Sequence, residues 1–274
     1  VPELPEVEEY ARTFARRALG RNIVRVRVLD ERILAVRKSA FVRALTGRQF
    51  TRVRRHGKHL FAHVGRVLNP SGRPLGRPAA AGRVETPSHI GEVWLRLHFG
   101  MTGDLTTEVD RFARVVFEFD DGTLLAYDDM RLFGVVDLVR DPDVFIRERN
   151  LGPDPLMIGL REFRARVARR RGAIKALLLS QEVIAGVGNL YADETLFRAG
   201  IHPRRAADRL SDDEVKSLFA HLRRVLREAI AGRRVFLVER EEGERCPRCG
   251  GTIQRAIVGG RTTYFCARHQ RAEP

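Results

Sequence analysis

Three cysteines and one histidine near the carboxyl end carry the most specific chemical spacing in the chain. They run Cys246-Pro-Arg-Cys249, then sixteen residues, then Cys266-Ala-Arg-His269. Two short-range ligand pairs, each on a tight turn, can converge on one tetrahedral zinc ion, with three thiolates and one imidazole excluding water. A shell closed by four protein ligands is structural rather than catalytic, so one structural Zn2+ is expected. Gly250-Gly251 and Gly259-Gly260 supply turns for an intervening hairpin, Thr252 to Val258 and Arg261 to Phe265. Arg245, Arg248, Arg255 and Arg261 make that hairpin a candidate phosphate reader.

A second group with reactive character lies at the other end, in Pro2-Glu3-Leu4-Pro5-Glu6-Val7-Glu8. Carboxylates can serve as general acids, yet acidic residues in a helix's first turn also suit its dipole, and the pattern leaves both readings open. The setting is unusual, because the 274-residue chain holds 50 Lys and Arg against 35 Asp and Glu. Only four of the basic residues are lysines: Lys38, Lys58, Lys175 and Lys216. An arginine keeps its proton at any useful pH, whereas a lysine can give it up, which singles out the four.

The net charge of +15 and a pI near 11.0 point to a polyanionic partner, nucleic acid first. With 43% hydrophobic residues the chain is neither a disordered basic tail nor a collagen-like repeat. Its longest charge-free stretch, Val183 to Ala192, is ten residues, against the roughly 20 that cross a bilayer. No membrane partner is expected. No apolar signal segment follows a basic start, which makes the cytoplasm the expected compartment.

The elements that must position these residues divide in two. Leu4, Val7, Ala11, Phe14 and Ala18 recur at helical spacing, predicting an amphipathic helix over Leu4 to Leu19. Alternation then predicts strands at Ile23 to Val28, Leu60 to Val64, Val93 to Leu97, Arg114 to Phe119, Leu124 to Tyr127 and Val135 to Val139. Several short strands in succession suggest an antiparallel sandwich or barrel. Gly65 to Glu92, dense in Pro, Gly and Arg, reads as a long surface loop. Beyond Gly152-Pro153 the pattern is helical: Ser211 and Glu214 form a capping box, and Val215, Leu218, Phe219, Leu222, Leu226 and Ile230 share one face until Gly232.

Further motifs occur in order along the chain: His56-Gly57-Lys58, His98-Phe99-Gly100-Met101-Thr102-Gly103, Arg131-Leu132-Phe133-Gly134, and Glu182 to Ala192 with its Gly186-Val187-Gly188-Asn189 turn. With the acidic opening and the zinc hairpin, they closely resemble the formamidopyrimidine-DNA glycosylase and endonuclease VIII family. The resemblance spans nearly the whole chain. It implies an α+β fold in three parts: residues 1–145, an N-terminal helix with an antiparallel β-sandwich; residues 146–235, a helix-two-turn-helix domain; and residues 236–274, a zinc finger. It also implies a monomer acting on damaged double-stranded DNA, removing oxidised bases and then cutting the abasic strand by β,δ-elimination.

By the same resemblance, Pro2 is the nucleophile through its secondary amine, Glu3 the acid, Glu6 a second carboxylate at the site, and Lys58 a proton-transfer and phosphate group. An α-amine with a pKa near ~8 is partly neutral at physiological pH, which suits Schiff-base chemistry. Met101, Arg131 and Phe133 fill the space an extruded nucleotide leaves; alone, Met101 and Phe133 would read as core residues. Arg170 within Arg169-Arg170-Arg171, Lys175 and Asn189 bind phosphate, and Arg261 serves phosphate binding and δ-elimination. Without the resemblance, Lys58 is a surface lysine and the arginine run a solvated face.

The chain departs from the family pattern at several points. Val1 precedes Pro2, so the expected active form begins at Pro2. His269 stands where a fourth cysteine is usual, Leu132 where a basic residue is common, and Phe112 near an expected histidine. Only thirteen residues separate Gly232 from Cys246, too few for the loop that covers an extruded 8-oxoguanine in specialised members. Formamidopyrimidine, oxidised pyrimidine or hydantoin lesions are therefore the expected substrates. The contrasting reading is a non-catalytic damage-binding protein of the same fold; a zinc-ribbon transcription factor would leave the acidic opening unexplained.

Overall fold

A computed structural model describes residues 2–66, 92–167, 170–237 and 240–272. The expected Pro/Gly/Arg-rich loop lies, apart from its ends, outside the described residues. Packing separates two units. One comprises Val7–Arg55 and His59–Glu148 with the first two residues; the other comprises Glu3–Glu6, His56–Lys58 and Arg149–Pro274.

In the first unit, helix α1 (Leu4–Ala18) buries Val7, Ala11, Phe14 and Ala18, the stripe its spacing predicts. Eight strands follow: β1 (Ile23–Val28), β2 (Arg48–His56), β3 (His59–Arg66), β4 (Val93–His98), β5 (Gly103–Thr106), β6 (Ala113–Phe119), β7 (Leu124–Asp129) and β8 (Val135–Val139). They form two four-stranded sheets of order β1-β6-β7-β5 and β2-β3-β4-β8. Every pairing recorded within them is antiparallel. One core joins the sheets to α1, with Phe50 lying edge-on to Phe14 at 4.9 Å and to Phe117 at 5.8 Å. Such edge-to-face rings fill volume that aliphatic side chains of the same count would leave open. Helices α2 (Lys38–Leu45) and α3 (Pro142–Glu148) complete the unit.

Strand β2, with sequence RQFTRVRRH, escapes the sequence pattern because Phe50 is its only fully buried side chain. Arginine stems occupy positions that β-branched residues would normally mark. Strand β5 is four residues long, too short for alternation to register.

The second unit contains α4 (Leu160–Val167), α5 (Ile174–Leu179), α6 (Asn189–Ala199), α7 (Asp212–Ile230) and the hairpin β9 (Gln254–Val258) with β10 (Arg261–Phe265). Helix α7 has the expected box: Ser211 Oγ accepts from Glu214 N at 3.2 Å and Glu214 Oε2 accepts from Ser211 N at 2.7 Å. Its inward face buries Val215, Leu218, Leu222, Val225 and Leu226. The turn between β9 and β10 has Gly259 at φ 60° and Gly260 at φ 71°. Two successive positive φ values are what a two-residue hairpin turn needs, and only glycine adopts them cheaply. Among the described residues no helix is long and apolar enough to cross a membrane.

Candidate active site and metal centre

The amino terminus supplies a carboxylate to the second unit. Glu3 is 2% exposed, and its side chain accepts hydrogen bonds from Gly188 N (2.7 Å), Leu190 N (3.0 Å) and Tyr191 N (3.4 Å). These are the otherwise unpaired amides at the start of α6, where the helix dipole also favours negative charge. Gly188 is required here for closeness: a Cβ on it would lie 2.3 Å from the Glu3 carboxyl carbon. Glu6 accepts from the Glu3 backbone N–H at 2.8 Å through one oxygen and from the Tyr191 hydroxyl at 2.6 Å through the other. The two carboxylates thus hold the backbone immediately after Pro2. Pro2 itself is buried.

The two-turn segment between α5 and α6 is tied by one side chain that sequence reading missed. Gln181 donates to the carbonyls of Leu179 (3.0 Å) and Val187 (2.8 Å) and accepts from Gly186 N (2.8 Å). Gly57, at φ 55°, turns the chain between β2 and β3. A Cβ on it would come within 2.8 Å of the Ala185 Cβ, so the turn is seated against this segment. Lys58, the next residue, therefore sits within the electrostatic reach of Glu3, Glu6 and Arg261.

Burial acts on both members of the Glu3 and Lys58 pair in the same sense. It pushes the Glu3 carboxyl above its ordinary 4.5, opposed by Lys58 and the α6 amides, and pulls the Lys58 amine below its ordinary 10.5 against the attraction of Glu3. Each is driven toward its neutral form, because low-dielectric surroundings penalise charge. A neutral carboxyl can donate a proton and a neutral amine can accept one. Separated roles of this kind are what acid and base chemistry requires.

Two expected phosphate ligands are engaged differently. Lys175 is fully buried, with its Nζ 2.5 Å from Asp193 Oδ1 and 2.6 Å from Thr263 Oγ1. Its phosphate-contact assignment is corrected accordingly: the ammonium is an internal strut with no face for a ligand. Asp193 also receives Arg240 at 2.7 Å. Asn189 Nδ2 donates to the Thr262 carbonyl at 2.9 Å, which Arg240 reaches at 3.3 Å. That bond uses one of the two amide hydrogens of a half-buried side chain. Arg261, adjoining Thr262, remains exposed, as does Arg170; Arg169 lies outside the described residues.

In the first unit the structure brings Met101, Arg131 and Phe133 into one exposed group. The organiser is Asp129, fully buried at the end of β7 and unmarked in the sequence reading. It accepts from Thr102 Oγ1 (2.5 Å), Arg131 N (3.2 Å) and Gly134 N (2.7 Å). Gly100 allows the loops to meet, since a Cβ there would lie 2.4 Å from the Phe133 carbonyl carbon. The Arg131 guanidinium lies 4.7 Å from the Phe133 ring centre, and Met101 and Phe133 are 37% and 54% exposed. Leu132, at φ 56°, turns the opposite way and packs on the core. Met101 and Phe133 are thus surface groups, not core residues.

The sulphurs of Cys246, Cys249 and Cys266 lie within 4.8 Å of one another. Gly251 N donates to Cys249 Sγ at 3.4 Å, and a Cβ on Gly251 would sit 3.3 Å from two of the sulphurs. Three converging thiols around space kept clear by glycine fit a thiophilic metal ion. His269 lies outside that group of three sulphurs. Its Nε2–H donates to the Phe197 carbonyl at 2.8 Å, and its ring packs 4.7 Å from the Phe197 ring.

Seating of the Glu3 carboxylate yields a direct prediction. Gly188→Ala places a methyl group where that carboxyl stands, so any proton-transfer step at Glu3 should slow by about a hundredfold or more. Metal content and circular dichroism should be unchanged, separating the effect from misfolding.

Residues 1–136 match the formamidopyrimidine-DNA glycosylase N-terminal domain, residues 151–237 the H2TH domain of the same enzyme, and residues 243–268 a zinc finger found in FPG and IleRS. A formamidopyrimidine-DNA glycosylase of Nitratidesulfovibrio vulgaris is 44% identical over 65% of this chain, the match covering 55% of the relative. One from Heliobacterium modesticaldum is 34% identical over 99% of this chain and all of its own length. A crystal structure of Lactococcus lactis formamidopyrimidine-DNA glycosylase, non-covalently bound to an AP-site-containing DNA, superposes with a TM-score of 0.83 at 27% identity, covering 98% of this chain and 99% of its own. The paired carboxylates at the start of α6, the exposed loops bearing Met101 and Phe133, and the cysteine cluster thus lie within matched domains, and the chain belongs to the formamidopyrimidine-DNA glycosylase family.

Proposed function

We propose that this protein removes oxidised or ring-opened bases from duplex DNA and then cleaves the abasic strand. The observation that carries the reading is the buried Glu3 with the half-buried Lys58 in its electrostatic reach, both driven toward neutrality, beside Pro2. In the proposed reaction the Pro2 nitrogen attacks C1′ of the damaged nucleotide, and the base departs with the glycosidic electron pair and takes up the proton that the Pro2 nitrogen releases. Glu3 protonates the ring oxygen as the sugar opens, leaving an iminium bond to Pro2. The iminium withdraws electrons, so loss of a C2′ proton to Lys58 expels the 3′ phosphate; a second elimination expels the 5′ phosphate. Arg261 and the protonated Lys58 meet those phosphates. The reaction requires the Pro2 nitrogen free of Val1. Met101, Arg131 and Phe133 occupy the space vacated by the extruded nucleotide, the guanidinium facing the orphaned partner base.

Borohydride reduction tests the covalent step and the substrate order together. With duplexes carrying a formamidopyrimidine, a hydantoin, thymine glycol or 8-oxoguanine opposite cytosine, a reduced adduct should form on Pro2, its peptide beginning at that residue. The short Gly232 to Cys246 link supports 8-oxoguanine as the slowest of the four. An adduct on a lysine, or 8-oxoguanine processed first, overturns these assignments.

The pH dependence follows from the two shifted groups. Lys58 and Pro2 act as free bases and Glu3 in its protonated form, so cleavage of preformed abasic DNA should rise and then fall with pH, the maximum set jointly by the raised Glu3 and the depressed Lys58 groups. In Glu3→Gln the high-pH fall should vanish from whatever rate remains, while the low-pH rise persists.

The metal is proposed to be one zinc ion, held by Cys246, Cys249 and Cys266. The Phe197 bond places the His269 proton on Nε2, which leaves Nδ1 as the lone pair for a fourth ligand. Zinc there supplies rigidity to the hairpin that carries Arg261, and no reaction chemistry. Elemental analysis should give about one zinc per chain, near zero in Cys249→Ser, and intermediate in His269→Ala.

A further inference from the structure

Between the end of α7 and the hairpin, residues 233–237 run without regular structure, yet they are held on both sides of a single exposed aromatic. Val235 is buried, and its carbonyl accepts from Arg198 Nη2 at 2.5 Å. The Leu237 N–H donates to Glu194 Oε2 at 2.9 Å. Glu194 is itself 2% exposed; its other oxygen holds Arg198 Nε at 2.6 Å, and Arg198 reaches Glu228 at 2.8 Å. Charges removed from water this thoroughly persist only when paired and hydrogen-bonded. This carboxylate and guanidinium network has no part in the chemistry above, and its partners outside α6 and α7 are the backbone groups flanking Phe236.

Phe236 is left 38% exposed, its ring centre 5.4 Å from that of Tyr191 and inclined by 44°. The Tyr191 hydroxyl is the group bonded to Glu6. An aromatic face is therefore fixed one ring away from the carboxylates, in a segment too short to fold a loop over an extruded base. We propose that Phe236 is a specificity-determining residue: it stacks on one face of the extruded damaged base and favours lesions that keep a planar π-face. The inference rests on the glycosylase reading above and deepens it. A base whose ring is saturated and puckered, such as thymine glycol, loses most of that contact, whereas a formamidopyrimidine keeps it. An abasic sugar has no base to stack, so its cleavage is independent of Phe236.

The test compares wild type, Phe236→Ala and Phe236→Trp on three duplexes, carrying a formamidopyrimidine, thymine glycol or a preformed abasic site. Phe236→Ala should lower kcat/KM for formamidopyrimidine release by about tenfold, and for thymine glycol by about threefold or less, from the usual worth of one base stacked on an aromatic ring. Abasic cleavage should be unchanged, and Phe236→Trp should restore release. Equal losses on all three duplexes, or no loss on the formamidopyrimidine, overturn the role of Phe236 while leaving the glycosylase reading intact. A wild-type protein inactive on every duplex overturns both.

Discussion

Seating the Glu3 carboxylate on the first amides of α6 is the interaction on which the rest of the site depends. Those amides have no partner within the helix, and a carboxylate buried at 2% exposure has no water to replace them. Each solves the other's problem. The consequence reaches both ways along the chain: the first helix starts inside the second unit, and Glu6 returns to hold the Glu3 amide. The backbone following Pro2 is thereby anchored by several hydrogen bonds. The demand on sequence is equally local, since a Cβ at position 188 would displace the Glu3 carboxyl from its seat.

A second constraint is how the metal-binding hairpin is carried. Three donors converge on the Thr262 carbonyl: Asn189 at 2.9 Å, Arg240 at 3.3 Å and Lys175 at 3.5 Å. Asp193 balances the two cations, at 2.5 Å from Lys175 and 2.7 Å from Arg240. Burial pulls the Lys175 amine below its ordinary value while Asp193 pulls it back. Such a cluster contributes little net stability against an apolar alternative, but it fixes orientation, because each partner is satisfied in one arrangement only. Arg261 is bonded to the residue so fixed, and its charge is felt at Lys58. Metal ligands, strut and reactive amine therefore share one mechanical line through the second unit.

Legibility in the sequence followed the physics of each element. Helix α1 and helix α7 were readable because each buries one continuous stripe, and the Ser211 box declares its own start. The cysteine spacing likewise declared the metal cluster, because short-range ligand pairs have few other uses. Strand β2 was not readable, its inward positions being diluted by arginine. Lys175 misled for a related reason: the residue type announces a charge and is silent on whether an acid one helix away neutralises it. Asp129 and Gln181 were missed because most of their hydrogen bonds go to backbone groups, and a side chain bonded to backbone leaves no partner residue to notice. Phe133 shows the opposite error in pattern reading, an apolar residue whose place is the surface.

The same distinction between residue type and surroundings governs the charge. A net +15 describes the outside of the molecule, where arginines meet solvent and draw in a polyanion. At the candidate site two carboxylates meet Lys58 and Arg261, and burial favours the uncharged forms of Glu3 and Lys58. A general acid and base of this kind could not operate on the exposed surface, because water would return both groups to their ordinary ionised states. Nor could an arginine stand in for Lys58, since no degree of burial found in proteins removes its proton at neutral pH. One of only four lysines in the chain stands at that turn, where its proton can be lost, while the surrounding arginines act as permanent charges.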